Sequence, residues 1–201
     1  MSHSREMLTT LAIGSLIAVS AVSSPQSFHW DWHDAQELSP KHSLQNAKLP
    51  ENQRRAIAKA ISAELNDQSQ SQQQLRRAAL KTSIKMVDLN SDGVPEVIAQ
   101  GVGEDDCSPT GNCTILIFQR VHGGYKLLLT AFGQTFTIQK MSTNGFHDIV
   151  VASHGSAFDS GLTNYKYRNG SYREAGCYDA SWQVSGTDTI LKEPRITRCS
   201  R

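Results

Sequence analysis

The spacing of apolar positions changes three times along the chain. Met7 to Val22 is an apolar run broken only by small or hydroxyl residues, with Arg5 before it and Ala21-Val22-Ser23 closing it. That layout predicts a signal peptide over residues 1–23, cleaved near Ser23. The run spans 16 residues, short of the roughly 20 that a stable membrane span needs. No cysteine stands at the cleavage position, so no lipid anchor is expected. From Ser24 to Leu49 no period emerges, and this stretch reads as a linker or extended arm. Leu49-Pro50-Glu51 then opens a helix, with Ile57, Ile61 and Leu65 on one face. The polar tract Gln68–Gln74 reads as a solvated connection. Leu75, Ala78 and Ala79 predict a second short helix near 73–80, so residues 50–80 form a helical segment.

From Lys81 the pattern becomes that of strands and tight turns. Thr82–Asn90 and Pro95–Ala99 flank Asp92-Gly93, and Thr114–Arg120 and Tyr125–Leu129 flank Gly123-Gly124. A similar succession follows: Thr135–Gln139, Asn144-Gly145, His147–Val151, a loop, Asn164–Arg168, Asn169-Gly170, Ser171–Ala175. Such Gly-containing turns supply the positive φ that tight hairpins require. Gly93 and Gly145 are 52 apart and Gly124 and Gly170 are 46 apart, which suggests a duplication. The runs Ile115–Phe118, Leu127–Leu129 and Ile149–Val151 do not alternate, so those strands should be covered on both faces. The expected fold is α+β: N-terminal helices followed by a mostly antiparallel β-sheet of about eight strands, built from two four-stranded repeats over 81–182, arranged either as two four-stranded sheets packed together or as one curled sheet with the helices on its open face. Residues 183–201 are left as a tail.

Composition narrows the function. Twenty Lys+Arg against nineteen Asp+Glu give a net charge of +1, with neither a basic stripe nor an acidic tail. Nucleic-acid binding is therefore set aside. The four cysteines all follow the leader, and local closure favours Cys107–Cys113 and Cys177–Cys199. Disulfides fit an exported chain better than a tetrathiolate zinc site, since no Cys-x-x-Cys pair exists. The expected localisation is secreted or periplasmic.

One loop carries recognisable chemistry. Asp88-Leu89-Asn90-Ser91-Asp92-Gly93-Val94-Pro95-Glu96 reads D-x-N-x-D-G-x-x-E. Asp88, Asn90, Asp92, the Val94 carbonyl and Glu96 offer hard oxygen ligands of the kind calcium takes. The twelfth loop position is Ala99, and strands flank the loop, so it is not an EF-hand. A hydrogen-bonded Asx turn closing a hairpin would need no metal. Strand, acidic loop and aliphatic strand over Ile84–Ala99 resemble an FG-GAP or VCBS-type repeat, closely over residues 81–130 and faintly over 134–176. The resemblance implies blade-like sheets, calcium in such loops and extracellular adhesion or recognition. In the second copy Lys140, Ser142, Asn144 and Asp148 stand opposite the ligands, and Lys140 argues against a second metal. Glu104, Asp105 and Asp106 are read as a solvated loop.

Other constellations are weaker. His29 and His33 lack a third ligand, and Ser153, His154 and Asp159 are too close in sequence for a catalytic triad. Glu96, Asp148 and His154 are the candidate acid–base groups of a hydrolase. Trp30, Trp32, Trp182 and Tyr178 are candidate sugar-stacking aromatics. The Ser153–Tyr165 loop, with Ser156, Asp159, Ser160 and Tyr165, is faintly similar to the inserting loop of periplasmic lysozyme inhibitors. The leading expectation is a non-enzymatic binding module for a protein or glycan partner, stabilised by one calcium ion. The alternative is a secreted inhibitor of a glycosidase such as lysozyme.

Overall fold

The computed structural model describes residues 30–65, 70–101 and 106–199. The chain divides at Trp30, and the architecture that follows is that of Asp31 onward. The predicted leader, His29, Glu104 and Asp105 lie outside the described residues.

Two α-helices precede the strands, α1 (Glu51–Glu64) and α2 (Gln72–Lys81). Pro50 caps α1, and Ile57, Ala58 and Ile61 form its buried face. A capping box opens α2: the Ser71 hydroxyl accepts from the Gln74 backbone, while the Gln74 side chain accepts from the Ser71 N–H. Nine strands follow among the described residues. β1 (Ser83–Val87), β2 (Glu96–Gln100), β3 (Cys113–Val121) and β4 (Gly124–Gly133) form one antiparallel sheet in chain order. β5 (Thr135–Thr143), β6 (Phe146–His154), β7 (Asp159–Arg168), β8 (Ser171–Gln183) and β9 (Ile190–Arg198) form a second.

The first sheet is the middle layer. On β2, Val97 and Ala99 pack with the helices, while Ile98 joins the core shared with the second sheet. On β3, Leu116 and Phe118 face the helices, while Ile115 and Ile117 face the second sheet. Burial on both sides explains why these runs do not alternate. Phe136, Phe146, Ile149, Val151 and Tyr172 supply the second sheet's half of that core.

Three features sharpen the expectations. Of the two packings expected, the strands form two separate sheets, the chain passing from one to the other at Gly133-Gln134. A Cβ on Gly133 would lie 2.5 Å from Val151 Cγ1 and 2.8 Å from the Ala152 carbonyl, so only glycine allows this close passage. The strands number nine rather than about eight, since part of the tail forms β9 against β8. The stretch expected as a linker or extended arm holds three short 3-10 turns from Trp32 onward. Gln36 pairs with Phe136 of β5, and Ser43 pairs with Ser83 of β1. No described helix is long and apolar enough to cross a membrane.

Candidate functional site: two opposite ends of the sheets

Because every neighbouring pair of strands is antiparallel, the connections fall alternately at two ends. The β1–β2 loop and the β3–β4, β5–β6 and β7–β8 turns lie at one end. The segment before β3, the β6–β7 tip and the β8–β9 loop lie at the other. The two sets of sequence-predicted site residues are therefore separated.

At the loop-rich end, Cys107 and Cys113 are disulfide-bonded and close the segment before β3. Ser108 and Asn112 continue this closure: the Ser108 N–H donates to the Asn112 carbonyl at 2.7 Å. The Asn112 side chain then joins this loop to β6. Its Nδ2 donates to the His154 carbonyl at 2.9 Å, and its Oδ1 accepts from the His154 N–H at 2.6 Å. A two-way amide bridge of this kind fixes both loops in one orientation.

The tip beyond His154 is tied into itself. The N–H groups of Gly155 and Ser156 both donate to the Asp159 carbonyl at 3.0 Å. The Ser156 hydroxyl donates to the Asp159 carboxylate at 2.7 Å and accepts from the Phe158 N–H at 3.2 Å. Hydrogen bonds from Ser156 and then Ser181 hold the Asp159 carboxyl below the usual carboxylate range. The Trp182 N–H donates to the Phe158 carbonyl at 2.8 Å, so β8 braces the tip from behind. With its backbone fixed on both sides, Phe158 remains 37% exposed.

The β8–β9 loop completes this end. Val184 and Thr189 pair through the Val184 N–H at 3.1 Å, and Gln183 Nε2 donates to the Thr187 carbonyl at 3.0 Å. Between this loop and Asp159 lies an open hollow of about 550 Å³, lined by side chains such as Ser181, Thr187 and Asp188. An exposed aromatic beside a rim of hydroxyls and carboxylates suits contact with a protein or a sugar.

Of the predicted partner-binding residues, Ser156 and Asp159 sit at this tip. Ser160 is the second residue of β7, opposite His154. Tyr165 is a correction: it lies mid-strand opposite Ile149, packs against the inter-sheet core, and is not part of the loop. Burial pushes its hydroxyl pKa up. Spacing alone made the loop look longer than the connection between His154, the end of β6, and Asp159, the start of β7.

At the other end stands the acidic loop. Asp88 accepts from the Gly93 N–H at 2.9 Å and from the Asp92 N–H at 3.3 Å. Asp92 accepts from the Val94 N–H at 2.7 Å and from Asn90 Nδ2 at 2.8 Å. Desolvation would raise the Asp88 carboxyl, yet the N–H groups of Gly93, Asn90, Ser91 and Asp92 hold it low. Ser91 and Gly93 both have positive φ, which turns the loop back on itself. Glu96 is buried at 1% exposure, with one carboxylate oxygen accepting from the Leu89 N–H at 2.8 Å. Burial raises its pKa against that hydrogen bond, and the nearby Asp92 and Asp88 charges push the same way. Asp88, Asn90 and Asp92 thus curl round the loop, while Glu96 is turned toward Leu89. Among the described residues no three His, Cys, Asp or Glu side chains converge at metal-holding distance. The oxygen set is chemically suited to a hard cation, but its members are engaged by the loop's own amides.

Of the three candidate acid–base groups only His154 stands apart: Glu96 and Asp148 both lie at the acidic-loop end, where burial and then their two charges raise the Tyr172 pKa. Asp148 and His154 lie six residues apart on β6, about 20 Å by strand rise. Asp148 is paired with Lys166 at 3.4 Å, and Glu96 belongs to the acidic-loop end of β2. Sequence reasoning missed Asn112 and Phe158. Phe158 falls inside the predicted loop without being singled out, and nothing in the spacing of Asn112 signals its bond to His154. Compared with protein-family models, with curated proteins and with solved structures, the chain matches none.

Proposed function

We propose that the chain is a secreted or periplasmic, non-enzymatic binding module that engages a protein or glycan partner through its loop-rich end. The observation that carries this reading is the Asn112–His154 bridge, which welds the disulfide-closed loop to the tip that presents Phe158. A surface fixed in advance loses little conformational freedom on binding, which favours affinity. The two disulfides support an oxidising compartment.

The same proposal places one calcium ion in the Asp88–Glu96 loop as a stabiliser of the opposite end. It also takes the two sheets as copies of one FG-GAP-like unit. Supporting that view, the acidic loop and Asn144-Gly145 occupy equivalent first connections, each with positive-φ residues. Calcium at 100 times its dissociation constant is expected to raise stability by about 2.7 kcal/mol. Thermal unfolding with calcium and with chelator measures this, and Asp92→Ala should abolish the shift. Absence of any calcium-dependent shift in the wild type removes the metal from the account.

A second reading, inhibition of a glycosidase such as lysozyme, is favoured by the exposed Ser156–Asp159 pair at a projecting tip. A glycan array and a panel of lysozymes test both readings. The expected result is saturable binding to one of them, weakened at least tenfold by Phe158→Asp at an unchanged melting temperature. Lysozyme inhibition lost in that variant selects the second reading. Tight binding that Phe158→Asp leaves unchanged refutes the loop-rich end as the contact surface.

A further inference from the structure

Among the described residues β1 is an edge strand of the first sheet, paired within it only with β2. Edge strands present backbone donors and acceptors that can template another strand. The arm covers only the start of this edge. The Leu44 N–H donates to the Thr82 carbonyl at 2.9 Å, and the Ser83 hydroxyl donates to the Ser39 carbonyl at 3.0 Å. Past the Ser43–Ser83 bridge the arm stays close to β1 through Pro40–His42 and the Gln36 side chain, and a groove of about 750 Å³ is lined by both the arm and Ile84–Met86. The alternation of an antiparallel ladder turns the Ile84 carbonyl and both Met86 backbone groups toward that groove.

The groove has a distinct chemical character. Leu38, Leu49, Ile84 and Met86 make its apolar floor. Lys41, Lys48 and Lys85 stand on its rim against one acid, Glu37, with His42 beside them. Lys85 is held in place by the Gln36 side-chain oxygen. The volume is that of a ligand site, but an acyl chain laid on this floor would cover the Met86 N–H and the Ile84 carbonyl without bonding them. Leaving such groups buried and unpaired is costly. An extended peptide satisfies them, fills the floor with alternate side chains, and sets acidic residues opposite the lysines.

We propose that this groove takes an extended acidic segment of a partner protein, added to the first sheet as a strand beside β1. This surface is separate from the loop-rich end and stands or falls independently of it.

The test selects a displayed library of random dodecapeptides against the full mature chain, then measures the enriched peptides as synthetic ligands. The expected winners alternate apolar residues with Asp or Glu. Their binding should slow hydrogen exchange at the Met86 amide. Met86→Pro removes the edge donor and should weaken binding at least tenfold. Lys41→Glu/Lys48→Glu, which leaves the backbone and core alone, should do the same with an unchanged melting temperature. Enriched peptides that bind both variants as tightly as the wild type overturn the proposal, as does a selection without enrichment. Laurate that binds the wild type and displaces the peptides, with no change in Met86 exchange on peptide binding, assigns the groove to an acyl carboxylate instead.

Discussion

Phe136→Ala is expected to lower the unfolding free energy by about 3–5 kcal/mol, the usual cost of emptying a large buried aromatic site. Phe136 is 1% exposed and belongs to the core between the two sheets. Its backbone lies opposite Val151 of β6 and bonds Gln36 of the arm in both directions, with N–H to O distances of 2.8 and 2.9 Å. The surrounding strands cannot collapse into the space left, because Gly133 already brings β4 against Val151 and Ala152 at close approach. Urea unfolding reads the effect as a lower midpoint at constant slope. Phe132, 53% exposed on β4, is the control, and Phe132→Ala should cost under about 1 kcal/mol.

Loss of the Cys177–Cys199 bridge is the second large effect. The bridge closes a sequence separation of 22 residues, for which restriction of the unfolded chain amounts to about 3 kcal/mol. It ties the chain just after β9 to β8, and the Cys199 N–H also donates to the Cys177 carbonyl at 3.1 Å. β9 is otherwise a largely exposed edge strand held by one neighbour. Cys177→Ser/Cys199→Ser should therefore melt earlier and become open to proteolysis between residues 184 and 199. The Cys107–Cys113 bridge closes a smaller ring, with a sequence separation of 6, and its loss in Cys107→Ser/Cys113→Ser should cost less, about 2 kcal/mol. Comparing the two melts checks the order.

Much of the fold could be read from local rules. The period of four in Ile57, Ile61 and Leu65, with Pro50 ahead of it, marks α1 because capping and amphipathicity act within a few residues. The turns at Gly93, Asn144-Gly145 and Asn169-Gly170 all show the positive φ that their residue types allow. The two cysteine pairs followed from chain closure alone, and both are formed. The continuous apolar run Ile115–Phe118 of β3 announced burial on both faces.

What escaped was set by contacts between distant segments. Gly133-Gln134 looks like an ordinary interruption in a β-rich stretch, and only packing against Val151 and Ala152 makes it the crossing between sheets. β9 carries Pro194 and alternating charges, so its pattern resembles a tail; its pairing with β8 supplies what its own residues do not. Tyr165 sits close to the tip in sequence, but the register of β6 with β7 carries it back into the core. The acidic motif shows the limit most clearly. Its spacing names the oxygen donors, while the fold decides which amides they bond, with Asp88 taking the Gly93 N–H and the buried Glu96 taking the Leu89 N–H.

The most direct test of the binding account places a photo-crosslinking residue, p-benzoylphenylalanine, at Phe158 or at Val121. Phe158 lies at the loop-rich end, and Val121, 42% exposed, lies at the opposite end. Each oxidised chain is irradiated with the extracellular or periplasmic fraction of the producing cells. The account predicts discrete adducts from position 158 that disappear with excess unlabelled chain, and none from position 121. Equal adducts from both positions, or adducts from position 121 alone, would contradict it.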